Sequence, residues 1–354
     1  MSDLSAISQH LIDLSDDTGV FQHARFHVPN RAHGYCTDDN ARALMAMAML
    51  SALRPLSAAE QRNARLYAAF LDHAFQEDDQ LFRNFMSYDR RWLPDEPAAD
   101  AGARSVWALG WVCAFPPAPN LDRWAGDLFI RAVGPLSRSS SPRVWAFLLL
   151  GLEKIRGTPA EWPQARDIAG QLATRLITRW HDAAKPDWQW FEDELSYDNA
   201  RLCEAALTAG QAFGITEATA IGLQSLEALW NWQIEDGVFH PVGHASFGKR
   251  HAPPARFDQQ PLEAAAMVDA CLAAAVSEPE RRQIWAARAL QAFDWFTGAN
   301  ALNVPLIVPG IGLCHDGLHP EKMNENAGAE STLAWLQALF AMKIQDKGRS
   351  FEAA

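Results

Sequence analysis

Several things are scarce in this chain, and each scarcity closes off a class of function. Cysteines number five in 354 residues, scattered as Cys36, Cys113, Cys203, Cys271 and Cys314 with no CxxC pair. Such spacing gives neither a disulfide framework nor a thiolate metal site, so reduced thiols packed in helices and no structural metal are expected. Lysine and arginine total 31 against 43 acidic residues, a net charge of −12, and they form no basic cluster. Nucleic acid is thereby excluded as a partner, because phosphate binding needs concentrated positive charge. A neutral or cationic ligand suits this balance better than a polyphosphate. No apolar run reaches the roughly 18–20 residues of a membrane helix. The acidic N-terminus lacks a signal-peptide pattern, so a cytoplasmic protein is expected. No Gly/Ser/Pro linker divides the sequence, and Pro116 to Pro119 and Pro253–Pro254 fall at predicted loops, so residues 1–354 read as one domain.

What is abundant is a repeated device: six polar clusters, each opening an apolar, Ala-rich run. They are YCTDDNARAL, ADAGARSVWAL, SPRVWAFLLL, SYDNARLCEAAL, FDQQPLEAAAM and NENAGAESTLAWL, at Asp38, Asp100, Ser141, Tyr197, Asp258 and Asn324. Asp, Asn and Ser can cap free N–H groups, and Pro142 and Pro261 suit a first helical turn. The runs that follow are apolar on nearly every face, which predicts buried helices. Amphipathic segments lie between them, over 2–14, 58–75, 120–134, 160–180, 216–232 and 280–297. The intervals between clusters range from 41 to 66 residues, too irregular for a solenoid. Six buried helices alternating with six half-buried ones predict an all-α, two-layer toroid of six helical hairpins, an (α/α)6 barrel. That arrangement gathers the six polar clusters at one end of the ring.

Chemistry is sought at that end. Asp38 and Asp39 stand together at a helix start, where one can cap and the other can answer the helix dipole. Alternatively, one carboxylate points into the central funnel, where burial and a neighbouring acid would tune it. His33 and Tyr35 precede them and could bind substrate hydroxyls. In WQWFEDELSYDNARL, Trp188 and Trp190 alternate with polar residues ahead of Glu192 and Asp198, the aromatic-plus-acid pairing a sugar ring uses. Around the fifth entrance are His240, His244, Asp258, Gln259, Gln260 and Glu263. Desolvated amides there need partners that a polar ligand could supply. His240 and His244 are four apart, but Pro241 and Gly243 argue for a loop, so no metal is expected. The sixth entrance brings His315, Asp316, His319, Asn324, Asn326 and Glu330. Glu330 lies inside an apolar helix, where a carboxylate is costly unless protonated or hydrogen-bonded. Tyr88, Trp92, Arg104 and Arg143 support the second and third entrances. The recurring Arg42, Arg104, Arg143 and Arg201 are read as braces on the carboxylates.

Taken together, HGYCTDDNARAL, RNFMSYDRRW, SPRVWAF, WFEDELSYDNARL, FDQQPLEAA and NAGAESTLAWL resemble the six-hairpin glycosidase superfamily. More closely they resemble a bacterial helical domain found alone or fused behind family-4-type glycosyltransferases. The resemblance implies an (α/α)6 barrel, a carbohydrate-related role and a glycosyltransferase as the one suggested protein partner. No nucleotide-binding half is present, and AADAGAR departs from the acidic stretch expected at the second entrance.

Three functions follow as expectations. The first is a glycoside hydrolase, inverting, on an oligosaccharide, with two carboxyls about 6.5–9.5 Å apart. Asp39 with Asp198 or Glu330 would be acid and base. Asp38, His33, Tyr35, Trp92, Trp188, Trp190, Glu192, His240, Asp258, Gln259, Gln260 and Asn326 would bind substrate, and no cofactor is called for. The second is a sugar epimerase or isomerase of the N-acylglucosamine epimerase type, with proton transfer by His33, His240, His244 or His315. The third is a non-catalytic carbohydrate-binding partner of a glycosyltransferase.

Overall fold

The computed structural model describes residues 4, 6–94, 98–244, 248–252 and 254–352. Twelve α-helices are found among them. In chain order they are α1 (Gln9–Asp13), α2 (Thr37–Leu53), α3 (Ala58–Ala74), α4 (Ala99–Ala114), α5 (Leu121–Leu136) and α6 (Pro142–Lys154). Then follow α7 (Ala165–Ala183), α8 (Ala200–Phe213), α9 (Thr216–Trp232), α10 (Pro261–Ser277), α11 (Arg282–Thr297) and α12 (Ala329–Glu352). The even-numbered helices are those that the polar clusters open. Each packs on the next, α2 to α4 to α6 to α8 to α10 to α12, and α12 returns to α2. The odd-numbered helices form the outer layer, α3 on α2, α5 on α4, and so round to α1 on α12. This is the predicted (α/α)6 barrel.

Patterning explains which helix goes where. In α2 every residue from Asp39 to Leu50 is buried, and α10 is buried without a break from Pro261 to Val268. Their small alanines let the inner helices approach closely. Gly110 of α4 faces Gly151 of α6 so tightly that an added Cβ would sit 2.6 Å from the Gly151 carbonyl oxygen. Outer helices bury one stripe only: α7 hides Ala165, Ala169, Leu172, Ala173 and Leu176, a helical spacing, and leaves the rest half-buried or exposed. Each fully buried Leu, Phe or Met contributes roughly 1.5–3 kcal/mol, and residues such as Leu148, Leu149 and Phe147 on α6 supply it here.

The entrances differ from expectation in how they cap. Ser141 does cap α6, accepting from the Val144 N–H. At α2, however, the cap is Cys36, whose Sγ accepts from the Asp39 N–H at 3.3 Å. Asp38 and Asp39 sit inside the first turn, Asp100 likewise in α4, and Asn324 lies five residues ahead of α12. At Asp38 the reason is competition: Arg42, one turn further in, and Arg104 claim the carboxylate that capping would have used. Loops at this end are pinned by two-residue antiparallel pairs. Tyr35–Cys36 pairs with Phe85–Met86, an approach that Gly34 permits, since a Cβ there would meet the Met86 carbonyl oxygen at 2.1 Å.

All five cysteines are free and buried. Denatured without reductant, the chain is expected to titrate five thiols, and the folded protein to react only as it unfolds. A denatured count below five would reveal a disulfide. No helix among the described residues is long and apolar enough to cross a membrane.

Candidate active site

The inner helices start at one end of the ring, and their first turns are bound together by charge. Arg42 and Asp38 are four apart on α2, which places them one above the other, Nε to Oδ2 at 3.1 Å. Arg104 of α4 bridges onward, its Nε to Asp38 and its Nη1 to Asp198 Oδ2 at 2.9 Å. Arg201 of α8 closes on Asp198 Oδ1 at 3.4 Å. The chain Arg42–Asp38–Arg104–Asp198–Arg201 thus crosses the ring below its mouth. Aromatic faces shield it: Phe147 lies 4.1 Å from the Arg104 guanidinium and Trp107 4.8 Å from that of Arg201. Asp198 is 0 % exposed. Burial would push its carboxyl up, but Arg104, Arg201 and Arg42 outweigh burial and hold it below the ordinary value. Its peptide N–H and that of Asn199 donate to Glu263, and Asn199 Nδ2 adds a third bond at 3.0 Å. Even so, burial and the charge of Asp198 push Glu263 up to about 7.

Above this layer opens a cavity of about 480 Å³, within the usual range for a small-molecule site. Asp38 and Asp39 of α2, Glu330 and Ser331 of α12, and Gln260 ahead of α10 form its base. Gln22, His23, Asn84, Asp316, Asn324 and Asn326 form its walls. Asp39 is the distinctive group. Desolvation, then the adjacent Asp38, push it up to about 8, against the Cys36 thiol that donates to its Oδ2 at 3.0 Å. Near neutral pH it therefore keeps its proton. Glu330 is also pushed up by desolvation, opposed first by Arg42, whose Nη2 lies 3.7 Å away. Its side chain stays 43 % exposed, and solvent in an open mouth screens much of that push. We therefore place the protonated acid at Asp39 rather than Glu330. His23 is held below the usual imidazole range by desolvation and then by His33, whose ring lies 4.6 Å away, edge-on. Asn84 Oδ1 is buried and accepts no hydrogen bond among the described residues.

Of the residues read as the site from sequence, the structure brings Asp38, Asp39, Gln260, Asn326 and Glu330 together at this cavity. Asp198 lies beneath it, walled off as the counter-ion of two arginines, which corrects its reading as acid or base beside Asp39. Trp188 and Trp190 are core: Trp188 stacks on Trp232 at 4.5 Å and Trp190 meets the same ring edge-on at 6.3 Å. Glu192 is spent on Arg143 at 2.6 Å. Tyr35 is buried with its hydroxyl on Asp16 at 2.6 Å. Trp92 packs outward on Phe70 and His73. Gln259 finds its partners inside the protein, accepting from Trp295 Nε1 at 2.9 Å and donating to the Arg256 carbonyl at 2.9 Å. His240 is half-buried beside that amide, 3.4 Å from it. Asp258 pairs with His319 Nδ1 at 2.8 Å on the rim, and His315 Nδ1 lies 3.1 Å from the Glu325 carbonyl oxygen. Neither His33, His240, His244 nor His315 is among the residues lining the cavity. From sequence, Gln22 carries no assigned role, His23 reads as a surface or packing residue and Asn84 only as support for the second entrance, yet all three line the cavity. Asn84 is carried there by the pairing of Phe85–Met86 with Tyr35–Cys36, and Gln22 and His23 by their loop, neither of which a local pattern shows. Among the described residues no group of three or more His, Cys, Asp or Glu is placed to hold a metal ion.

By sequence, no family model and no curated protein matches this chain. Solved structures do match in shape. A sugar epimerase from a ruminal bacterium superposes with a TM-score of 0.72 at 12% identity, over 98% of this chain and 97% of its own. The cellobiose 2-epimerase of Spirochaeta thermophila gives 0.73 at 14%, over 97% and 94%. A GH76 α-mannanase of Bacteroides thetaiotaomicron gives 0.65 at 12%, over 99% and 95%. What these likenesses establish is the fold: the chain has the six-hairpin (α/α)6 architecture that sugar epimerases and glycoside hydrolases share.

Proposed function

We propose that this protein is a carbohydrate-active enzyme whose reaction is proton transfer on the sugar itself, an epimerisation or isomerisation. The observation that carries the reading is the pairing, in one cavity, of a carboxyl that keeps its proton near neutrality with an imidazole that does not. Taking a proton from the carbon beside an open-chain carbonyl needs a neutral base, for which His23 is suited. Asp39 donates to the carbonyl oxygen as the enediol forms. For an isomerisation the protonated His23 then gives its proton to the former carbonyl carbon while Asp39 takes one from the neighbouring hydroxyl. For an epimerisation the enediol turns over, so that His23 returns the proton to the opposite face of C2 as Asp39 recovers its own. The amide walls and the unsatisfied Asn84 Oδ1 suit hydroxyls. The full-length likeness to two sugar epimerases supports the same reading. It replaces hydrolysis as the first choice.

Glycoside hydrolysis is the second reading, favoured by Glu330 opening into the same cavity as Asp39. Asp39 would protonate the leaving oxygen and Glu330 would activate water. One experiment separates the two. Incubated in D2O with D-glucose, D-mannose and cellobiose, an epimerase places deuterium at C2 and an isomerase at C1 of the ketose formed, and both leave the glycosidic bond of cellobiose whole. A hydrolase releases a new reducing end instead. Absence of both reactions, with no saturation transfer from the protein to any of the three sugars, would sink the carbohydrate assignment.

A further inference from the structure

The ring has a second concavity at its other end. A cavity of about 440 Å³ lies where the inner helices finish, and all six of them contribute to its wall. The buried ion chain separates it from the sugar-sized cavity above. Met45, Met49, Trp107, Trp111 and Leu150 give its wall an apolar part, beside polar side chains such as Thr208, Gln211 and Gln337. Its floor is acidic: Glu204 and Asp269 both reach Arg201 Nη1 at 2.6 Å. We propose that this basal cavity is a binding site for an organic ammonium ion with an apolar body.

The argument is one of unbalanced charge beside apolar and aromatic side chains. Among the described residues Arg201 is the one guanidinium that contacts Glu204 and Asp269, and it also serves Asp198. Because Asp198 is shared with Arg104, one guanidinium faces two carboxyls on this side. Of the other cations on the wall, Lys154 is the weakest influence on Glu204 and Asp269, since it pairs with Glu153 at 2.9 Å over the Trp111 ring; Arg156 lies over Phe213. The ends of inner helices add the negative pole of their dipoles. Without a ligand the shortage is met by protons: desolvation pushes Glu204 up to about 7 against the pull of Arg201, with Asp269 adding to the push. Asp269 is pushed up as well, for the same leading reason. An ammonium ion would replace that proton. A second feature asks for a ligand independently. The indole N–H of Trp111, a cavity-lining residue, is buried and finds no acceptor among the described residues. A hydroxyl on the ligand body would satisfy it. This proposal does not depend on the sugar reading.

Tyramine carries all three features, an ammonium, an apolar ring and a hydroxyl; 4-hydroxyphenylacetate has the same body with the opposite charge. Calorimetry is expected to show one tyramine bound per chain and the anion bound at least about tenfold more weakly. Near pH 7 the heat should vary with the buffer's ionisation enthalpy, because Glu204 releases a proton as the cation arrives. Glu204→Gln should weaken tyramine about tenfold, the loss of one charge-assisted contact. Glu330→Gln, in the upper cavity, should leave it unchanged. If Glu204→Gln does not fold, Val276→Trp on the cavity's exposed wall should abolish binding by blocking it. No tyramine binding, equal binding of both probes, or sensitivity to Glu330→Gln in place of Glu204→Gln would overturn the proposal.

Discussion

Asp39→Asn is expected to lower turnover at least about 100-fold, the lower range for losing general acid–base help, while the fold survives, because the amide is nearly isosteric. The acid must be protonated to work, so wild-type kcat/KM should fall as pH rises past about 8. Stability carries the same signature. Asp39 moves from 3.8 to about 8 on folding, so the folded chain holds a proton that the unfolded chain releases. That contribution is whole below about pH 4 and is lost as pH climbs through 8. Asn cannot lose a proton, so urea midpoints at pH 5 and pH 9 should lie closer together in the variant than in wild type. They should not coincide, because Glu263, Glu204 and Asp269 are shifted in the same direction. Wild-type turnover in Asp39→Asn would remove Asp39 from the chemistry. An unchanged gap between the two midpoints would mean that water already reaches its carboxyl.

Arg104→Met should be the most damaging single change to stability, at about 3–5 kcal/mol, the range for breaking a buried ion pair by removing one partner. Arg104 holds Asp38 with one nitrogen and Asp198 with another, so its loss leaves Asp198 buried against Arg201 and a longer contact. Adding Asp198→Asn to Arg104→Met removes the stranded charge and should recover part of the loss, a coupling that a double-mutant cycle in urea would measure. A single-variant cost under about 1 kcal/mol would mean that the layer behaves like an exposed pair.

The ring itself was legible because its signal is one of period and burial. Runs such as ALMAMAML after Arg42 have no polar face, and segments such as Ala165–Leu176 have one, so inner and outer helices separate by composition alone. The acids at Asp38, Asp39 and Glu330 were legible for the same reason, standing where an apolar helix begins. What stayed hidden depended on which way a side chain turns. Trp188 and Trp190 alternate with polar residues as a sugar platform would, yet both turn inward onto Trp232. Asp39 and Asp198 share the residues Asp-Asn-Ala in different registers: Asp39 precedes its Asn within a helical turn, and Asp198 sits at φ 50 ahead of α8. One carboxyl meets the cavity and the other meets two arginines. His23 and Asn84 reach the site through loop pairings far apart in sequence, which no local pattern records.

The seam between α12 and α2 has a consequence for how the molecule folds. Gln337 Nε2 donates to the Arg42 carbonyl at 3.0 Å and Lys347 Nζ to that of Ala52 at 3.1 Å, each across 295 residues. The main packing of the other inner helices joins neighbouring hairpins, and across the ring Arg104 and Trp107 of α4 reach Asp198 and Arg201. Up to that seam the chain can assemble as a linear array, one hairpin templating the next, with local contacts forming first. Joining the ends then adds a single long closure, whose entropic cost grows only with the logarithm of its length. The seam is thus the natural last bond to form and first to part. Asp39 and Glu330 stand on its two sides, so the acid chemistry of the upper cavity exists only once the circle is shut.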